Sequence, residues 1–333
     1  MAEKNIPGFH YARAVLSIFV VLWHTHAVPR PEIWSATDVF GYVPGVLDII
    51  NFQVLLTAVP GFVAISCFLY ALHGGSAHKL RARALRLAAL MLFWTMLFLL
   101  VDRGLPGLET AAHWLVDSPV VALVGAFGTV YYFFMALAAT LVVTSLCAGL
   151  STRWNVALLA SLCGLIGLFQ WIPMHGGPQW MWAHWNPLNF APYGPAMVLL
   201  VRYFPILINR RALAFSILLA CAAAFAVIEW TTLPALTGQQ PITASIPAYT
   251  RISLLPTAAA IVLACISSRA TADKVVGFMS QNSLALYCLH PIALALFLGR
   301  LGEGVALGAV VVGVSYITAC FVLPRTLPSA LYR

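Results

Sequence analysis

The chain has 333 residues, 62% of them apolar and only 8% charged, with a formal charge of +8 at pH 7. A soluble domain of this size needs more surface charge, so the solvent for most of this chain is lipid. The Lys and Arg fall in short segments between apolar runs and form no basic domain or recognition motif, which excludes a nucleic-acid partner. The seven Cys (67, 147, 163, 221, 265, 288 and 320) sit in or beside apolar runs with no close pairing. They read as small hydrophobes, with neither a disulfide framework nor a metal site expected.

A helix needs about 17–25 apolar residues to cross the hydrocarbon core. Ten such runs lie at 11–28, 52–73, 83–101, 128–149, 154–171, 187–204, 211–230, 251–268, 278–299 and 304–323. The stretch 119–127 is also apolar, and either extends the fourth run or forms a short segment of its own. The expected fold is an all-α polytopic transmembrane helical bundle of about ten spans, one membrane domain over 1–333 with no separate soluble domain. The first run has no small-residue cleavage site after it, so it reads as a retained helix and not a signal peptide.

With an internal N-terminus, the inner segments hold Lys4, Arg13, Lys79, Arg81, Arg83, Arg86, Arg153, Arg202, Arg210, Arg211, Arg269, Lys274, Arg325 and Arg333. The outer ones hold Arg30, Arg103 and Arg300, while Arg251 fits either side. This asymmetry places both termini in the cytoplasm. The outer segments are rich in Trp, as in Trp180-Met181-Trp182-Ala183-His184-Trp185, which reads first as an interfacial belt and second as a platform for sugar stacking.

An ionisable group inside a span is costly and asks for a reason. In the first span Arg13 and His24 are eleven residues apart, which is three helical turns, so they share a face roughly 16 Å apart along the axis. Arg13 then sits at the inner border and His24 inside the bilayer. A neutral imidazole there can act as a general base, or simply hydrogen-bond a neighbouring helix. His26 lies on another face and reads as interfacial. His78-Lys79-Leu80-Arg81-Ala82-Arg83-Ala84-Leu85-Arg86 opens the third span with four cations that suit a polyanion's phosphates or a headgroup layer. Near the other end of the chain, Ser283, Tyr287 and His290 share one helical face at i, i+4 and i+7, able to donate to an oxyanion or to a neighbouring helix.

Taken in order, Arg13-x10-His24, Val59-Pro60-Gly61-Phe62-Val63-Ala64-Ile65-Ser66, Arg83-x-x-Arg86, Tyr131-Tyr132-Phe133 and Ser283-x-x-x-Tyr287-x-x-His290-Pro291 resemble the membrane acyltransferase type 3 family. The sequence departs from that pattern at Cys67, at Phe9-His10-Tyr11-Ala12 and at Tyr131-Tyr132, positions that bear on helix packing and acceptor choice.

The resemblance implies transfer of an acyl group, commonly acetyl, from cytoplasmic acyl-CoA to a hydroxyl of a carbohydrate or related acceptor. It implies a multi-pass protein of a bacterial inner (plasma) membrane. Carried onto this chain, His24 and Arg13 are the catalytic pair. Arg83 and Arg86, with Arg81 and Lys79 beside them, engage the donor phosphates; Ser283, Tyr287, His290, Tyr131 and Tyr132 serve acceptor or oxyanion. His24 is expected to face the same cavity as the Arg-lined mouth. The rival expectation is a secondary transporter of a small polar or anionic solute, against which stand the lack of a paired repeat and of buried carboxylates beyond Glu229.

Overall fold

A computed structural model of the protein describes residues 6–36, 42–237, 246–268, 270–271 and 273–332. Of the expected inner cations, Lys4, Arg269 and Arg333 lie outside the described residues. Every regular element among the described residues is helical. In chain order the helices are α1 (Pro7–His24), α2 (Val46–Leu72), α3 (Ala77–Arg103), α4 (Leu105–Asp117), α5 (Pro119–Val124), α6 (Tyr132–Gly149) and α7 (Thr152–Met174). They continue as α8 (Tyr193–Arg202), α9 (Phe204–Asn209), α10 (Arg211–Thr237), α11 (Leu254–Ser267), α12 (Lys274–Gln281), α13 (Ser283–Leu301) and α14 (Val305–Thr326).

Seven of these, α2, α3, α6, α7, α10, α13 and α14, are long and apolar enough to cross a membrane. The other three expected spans are helical but fall outside this set. α1 has eighteen residues and carries His10, Arg13 and His24, which lower its hydropathy, and α11 has fourteen residues. The run 187–204 divides into a 3-10 turn (Pro187–Phe190) and α8, because Pro187, Pro192 and Pro195 each lack an N–H to continue the ladder. The stretch 119–127 is a separate element, α5, closed by a turn in which Ala126, Phe127 and Gly128 all have positive φ.

α1 is central and packs against α2, α11, α12, α13 and α14. Gly8 lets it lie directly on the backbone of Cys265 in α11, where any Cβ would collide with the main chain, and Gly194 brings α8 equally close to Val143 and Thr144 of α6. Small residues at crossings are how helices pack in lipid, where apolar burial alone favours no partner. α7 and α10 lie outside this core, with Leu168, Leu213, Ile217, Val227 and Ile228 exposed. Such faces are stable only against hydrocarbon.

Two ends can be told apart by what bridges them. At one, His10 meets Ser280, Tyr11 donates to the Thr271 carbonyl, and Arg202 reaches the carbonyls of Ala148 and Leu150. At the other, Gly304 N–H donates to the Thr25 carbonyl and Arg30 pairs with Glu303, whose carboxyl it holds below the usual range.

Near this second end a buried ion pair ties four elements together. Glu229 of α10 accepts from Arg251 Nε (3.0 Å), from the N–H and hydroxyl of Ser253, and from Gln170 of α7. Arg251 also donates to the Phe52 carbonyl at 2.8 Å, inside a π-helical turn (Ile50–Val54) that opens α2. Gln53, with its amide oxygen turned toward the donors, accepts from Arg251 and Trp230. The irregular backbone of α2 is thus satisfied by a side chain from elsewhere, as it must be where no water reaches.

Both partners of this pair are essentially unexposed, so removing one strands the other's charge. Glu229→Ala is expected to lose about 3–5 kcal/mol of stability. The check is the thermal midpoint in detergent, with Glu229→Leu plus Arg251→Met expected to lose less than the single change.

Candidate functional site

Among the described residues two neighbouring cavities hold expected site residues, one toward each end. The first, of about 500 Å³, is lined by Arg13 and His10 of α1, Ser66 of α2, Arg83 and Arg86 of α3, Phe133, Phe134 and Leu137 of α6, and Ser280, Ser283 and Tyr287 of α12 and α13. Helical spacing explains which cations reach it. Arg83, Arg86, Leu87 and Leu90 form one i, i+3, i+4, i+7 stripe, and all four line the wall. Arg81 lies off that stripe and Lys79 a turn further out; both are exposed and line no part of the cavity. Arg83 is fixed over the Tyr70 ring, its Cζ 5.4 Å from the centroid. The result is a chamber with three guanidinium groups at its margin and an aromatic and aliphatic far wall.

The second cavity, of about 260 Å³, is lined by Val20, Trp23 and His24 of α1, Leu55, Leu56, Ala58 and Val59 of α2, Val130 and Tyr132, His184, Ala248, Tyr249 and Tyr287. His24 is half-buried here and its ring makes no hydrogen bond to the described residues, so its nitrogens are available to the space. α1 ends one residue later, where the Thr25 hydroxyl donates back to the Val21 carbonyl. His26 has a left-handed backbone and turns its ring edge-on to Trp34, away from the cavity. Burial pushes the His26 imidazole below its usual pKa, Glu303 opposing the shift.

Arg13 and His24 therefore mark the two chambers, three turns apart on α1. The imidazole does not open directly into the Arg-lined chamber: Tyr287 stands between and borders both. Its hydroxyl donates to the Val130 carbonyl at 2.5 Å, and its ring packs against Phe133 and Phe134.

Three more of the expected site residues have their donors committed. Ser283 donates to the Ser280 carbonyl (2.9 Å), and Tyr131, fully buried away from both chambers, donates to the Cys288 carbonyl (2.6 Å). His290 bonds through Nδ1 to the Tyr287 carbonyl (2.7 Å), and its ring centroid is 5.2 Å from that of His24. Tyr132 faces the second cavity, 4.9 Å ring to ring from His184.

Sequence reasoning missed His184, Tyr249 and Trp23 in the second chamber, and His10 and Ser280 in the first. Trp23 carried a usable signal, since Val20, Trp23 and His24 share one helical face. His184 and Tyr249 come from loops, where no period announces which way a side chain points.

A polytopic helical membrane protein with a half-buried imidazole beside a basic chamber is the class that fold and site define. A family model described as an acyltransferase domain matches residues 6–324, and the chain belongs to the acyltransferase 3 family, whose members are membrane acyltransferases. No curated relative and no solved structure matches it.

Tyr287→Phe keeps the dividing ring but leaves the Val130 carbonyl without its donor. The expected loss is about 1–3 kcal/mol, the usual penalty for a stranded buried group. It would be measured as a lower unfolding midpoint in detergent, and an unchanged midpoint would show that the hydroxyl does not hold the wall.

Proposed function

We propose that the protein transfers an acyl group, acetyl in the simplest case, from acyl-CoA to a hydroxyl of a carbohydrate or related acceptor. The observation that carries this is the pairing of a guanidinium-rimmed chamber with a neutral, imidazole-bearing one across a single tyrosine. Arg13, Arg83 and Arg86 offer forked donors suited to the phosphates of CoA, and the apolar depth of their chamber suits its pantetheine arm. Among the described residues the second chamber has no carboxylate, ammonium or guanidinium in its lining, and Trp23, Tyr132 and Tyr249 give it the aromatic surface on which a sugar ring stacks.

A thioester is already activated, so the chain's task is to remove the acceptor's proton and steady the oxyanion. His24 does the first, taking the hydroxyl proton as that oxygen attacks the acyl carbon and passing it to the departing thiolate. Tyr132 and His184, beside it, face the position of the oxyanion. Ten crossings with both termini cytoplasmic would put the Arg-rimmed chamber on the side of the CoA pool, in a bacterial inner membrane. The whole of 1–333 then acts as one membrane domain.

His24→Ala is expected to abolish thiol release from acetyl-CoA by purified protein, with His26→Ala close to wild type. Full activity in His24→Ala would sink the general-base role and return the transporter as the better account. Arg83→Ala and Arg86→Ala are expected to raise KM for acetyl-CoA more than they lower kcat, and added salt to weaken donor binding; Lys79→Ala and Arg81→Ala should change KM little. Sidedness has its own check: in a cysteine-depleted background an impermeant maleimide on intact cells should label Arg30→Cys and spare Arg81→Cys.

A further inference from the structure

The penultimate span carries His290 directly before Pro291, and the backbone gives that order a consequence. Pro291 has no N–H, so the carbonyl four residues earlier, that of Tyr287, loses its helical donor. The His290 ring fills the vacancy through Nδ1, at 2.7 Å. A carbonyl only accepts, so Nδ1 carries the proton and Nε2 of the neutral ring carries the lone pair. That nitrogen is sealed in the core of a residue 1% exposed, and among the described residues it has no hydrogen-bond partner.

What lies beside it is His24. The ring centroids are 5.2 Å apart and the planes are tilted by 35°. Two ring radii of about 1.1 Å and a hydrogen bond of about 3 Å add up to roughly this separation, so the spacing suits a hydrogen bond from a His24 N–H to the unpartnered Nε2. As an acceptor at Nε2, with its only N–H spent on Tyr287, His290 has nothing to donate to an oxyanion.

We propose that His290 is a positioning residue for His24: its Nε2 accepts the His24 N–H, fixes the tautomer, and leaves the other His24 nitrogen bare toward the second cavity. The inference rests on the general-base reading of His24. No proton need pass between the two rings. The acceptor's hydroxyl proton goes to the bare His24 nitrogen as its oxygen bonds to the acyl carbon, and the carbon–sulfur bond breaks. The same proton then leaves His24 for the thiolate, giving a free thiol. Throughout, the second N–H of His24 stays on His290, which supports the transient imidazolium much as an outer partner orients a catalytic or metal-bound His.

Two substitutions separate this role from simple capping of the Tyr287 carbonyl. His290→Asn keeps a donor near the Nδ1 position and removes the acceptor at Nε2. His290→Gln places an amide oxygen near Nε2 and gives up the cap. With acetyl-CoA as donor, methyl hexosides or water as acceptor and thiol release as the readout, His290→Asn is expected to lower kcat by about a hundredfold or more with KM for acetyl-CoA unchanged. His290→Gln should stay within about tenfold of wild type. The reverse order, equal loss or equal retention overturns the proposal.

Where either variant fails to fold, 15N-histidine spectra of the intact protein in detergent decide. The Nε2 resonance of His290 should move downfield toward the free pyridine-type position in His24→Phe, and an unmoved signal overturns the proposal. His24→Ala with wild-type transfer would defeat the base assignment itself. An inactive His24→Ala beside a fully active His290→Asn would defeat this inference alone.

Discussion

A backbone carbonyl in hydrocarbon has no water to turn to, and around the two chambers this protein answers that constraint with side chains. The Tyr287 carbonyl, freed by Pro291, is taken by His290; the Phe52 carbonyl, in the π turn of α2, by Arg251; the Val130 carbonyl by Tyr287; the Cys288 carbonyl by Tyr131. Each of these bonds reaches the wall of a chamber or the segment that carries it. Irregular helix is costly in a membrane and tolerable where protein surrounds it. The walls of the site are where this chain concentrates it.

This arrangement sets what the walls can do. A Tyr or His whose proton is committed to a carbonyl is a positioned object before it is a catalyst. Tyr287 is held as a partition, and Ser283 is tied back to the end of α12. His24 differs from them, since its ring makes no hydrogen bond to the described residues and it lines the second cavity. The buried Glu229–Arg251 pair belongs to the same logic at longer range, since it fixes the segment bearing Ala248 and Tyr249 against α2, two walls of the second chamber.

The division of labour along α1 follows from its period. Arg13 and His24 are on one face, yet eleven residues is far enough that neighbours fill the space between them. Tyr287 does so, with Phe133 and Phe134 packed against its ring. A guanidinium-rimmed space and an uncharged aromatic one thereby adjoin at the Tyr287 ring.

Composition by itself determined that the chain lives in lipid, and spacing determined that Arg83 and Arg86 share a stripe and that Ser283, Tyr287 and His290 share a face. Periodicity and apolar runs carry such facts because they depend only on local geometry. The ordered motifs gave the family that the match over residues 6–324 shows. What the tertiary structure decided was everything that depends on a second element: that 187–204 breaks at its prolines, that Lys79 and Arg81 stand outside the chamber, that Tyr131 is core while Tyr132 lines the second cavity, and that His184 and Tyr249 arrive from loops. It also decided where each polar proton goes. A sequence lists donors and acceptors, but which carbonyl claims which side chain is settled only when helices far apart in the chain close on one another and exclude every other partner.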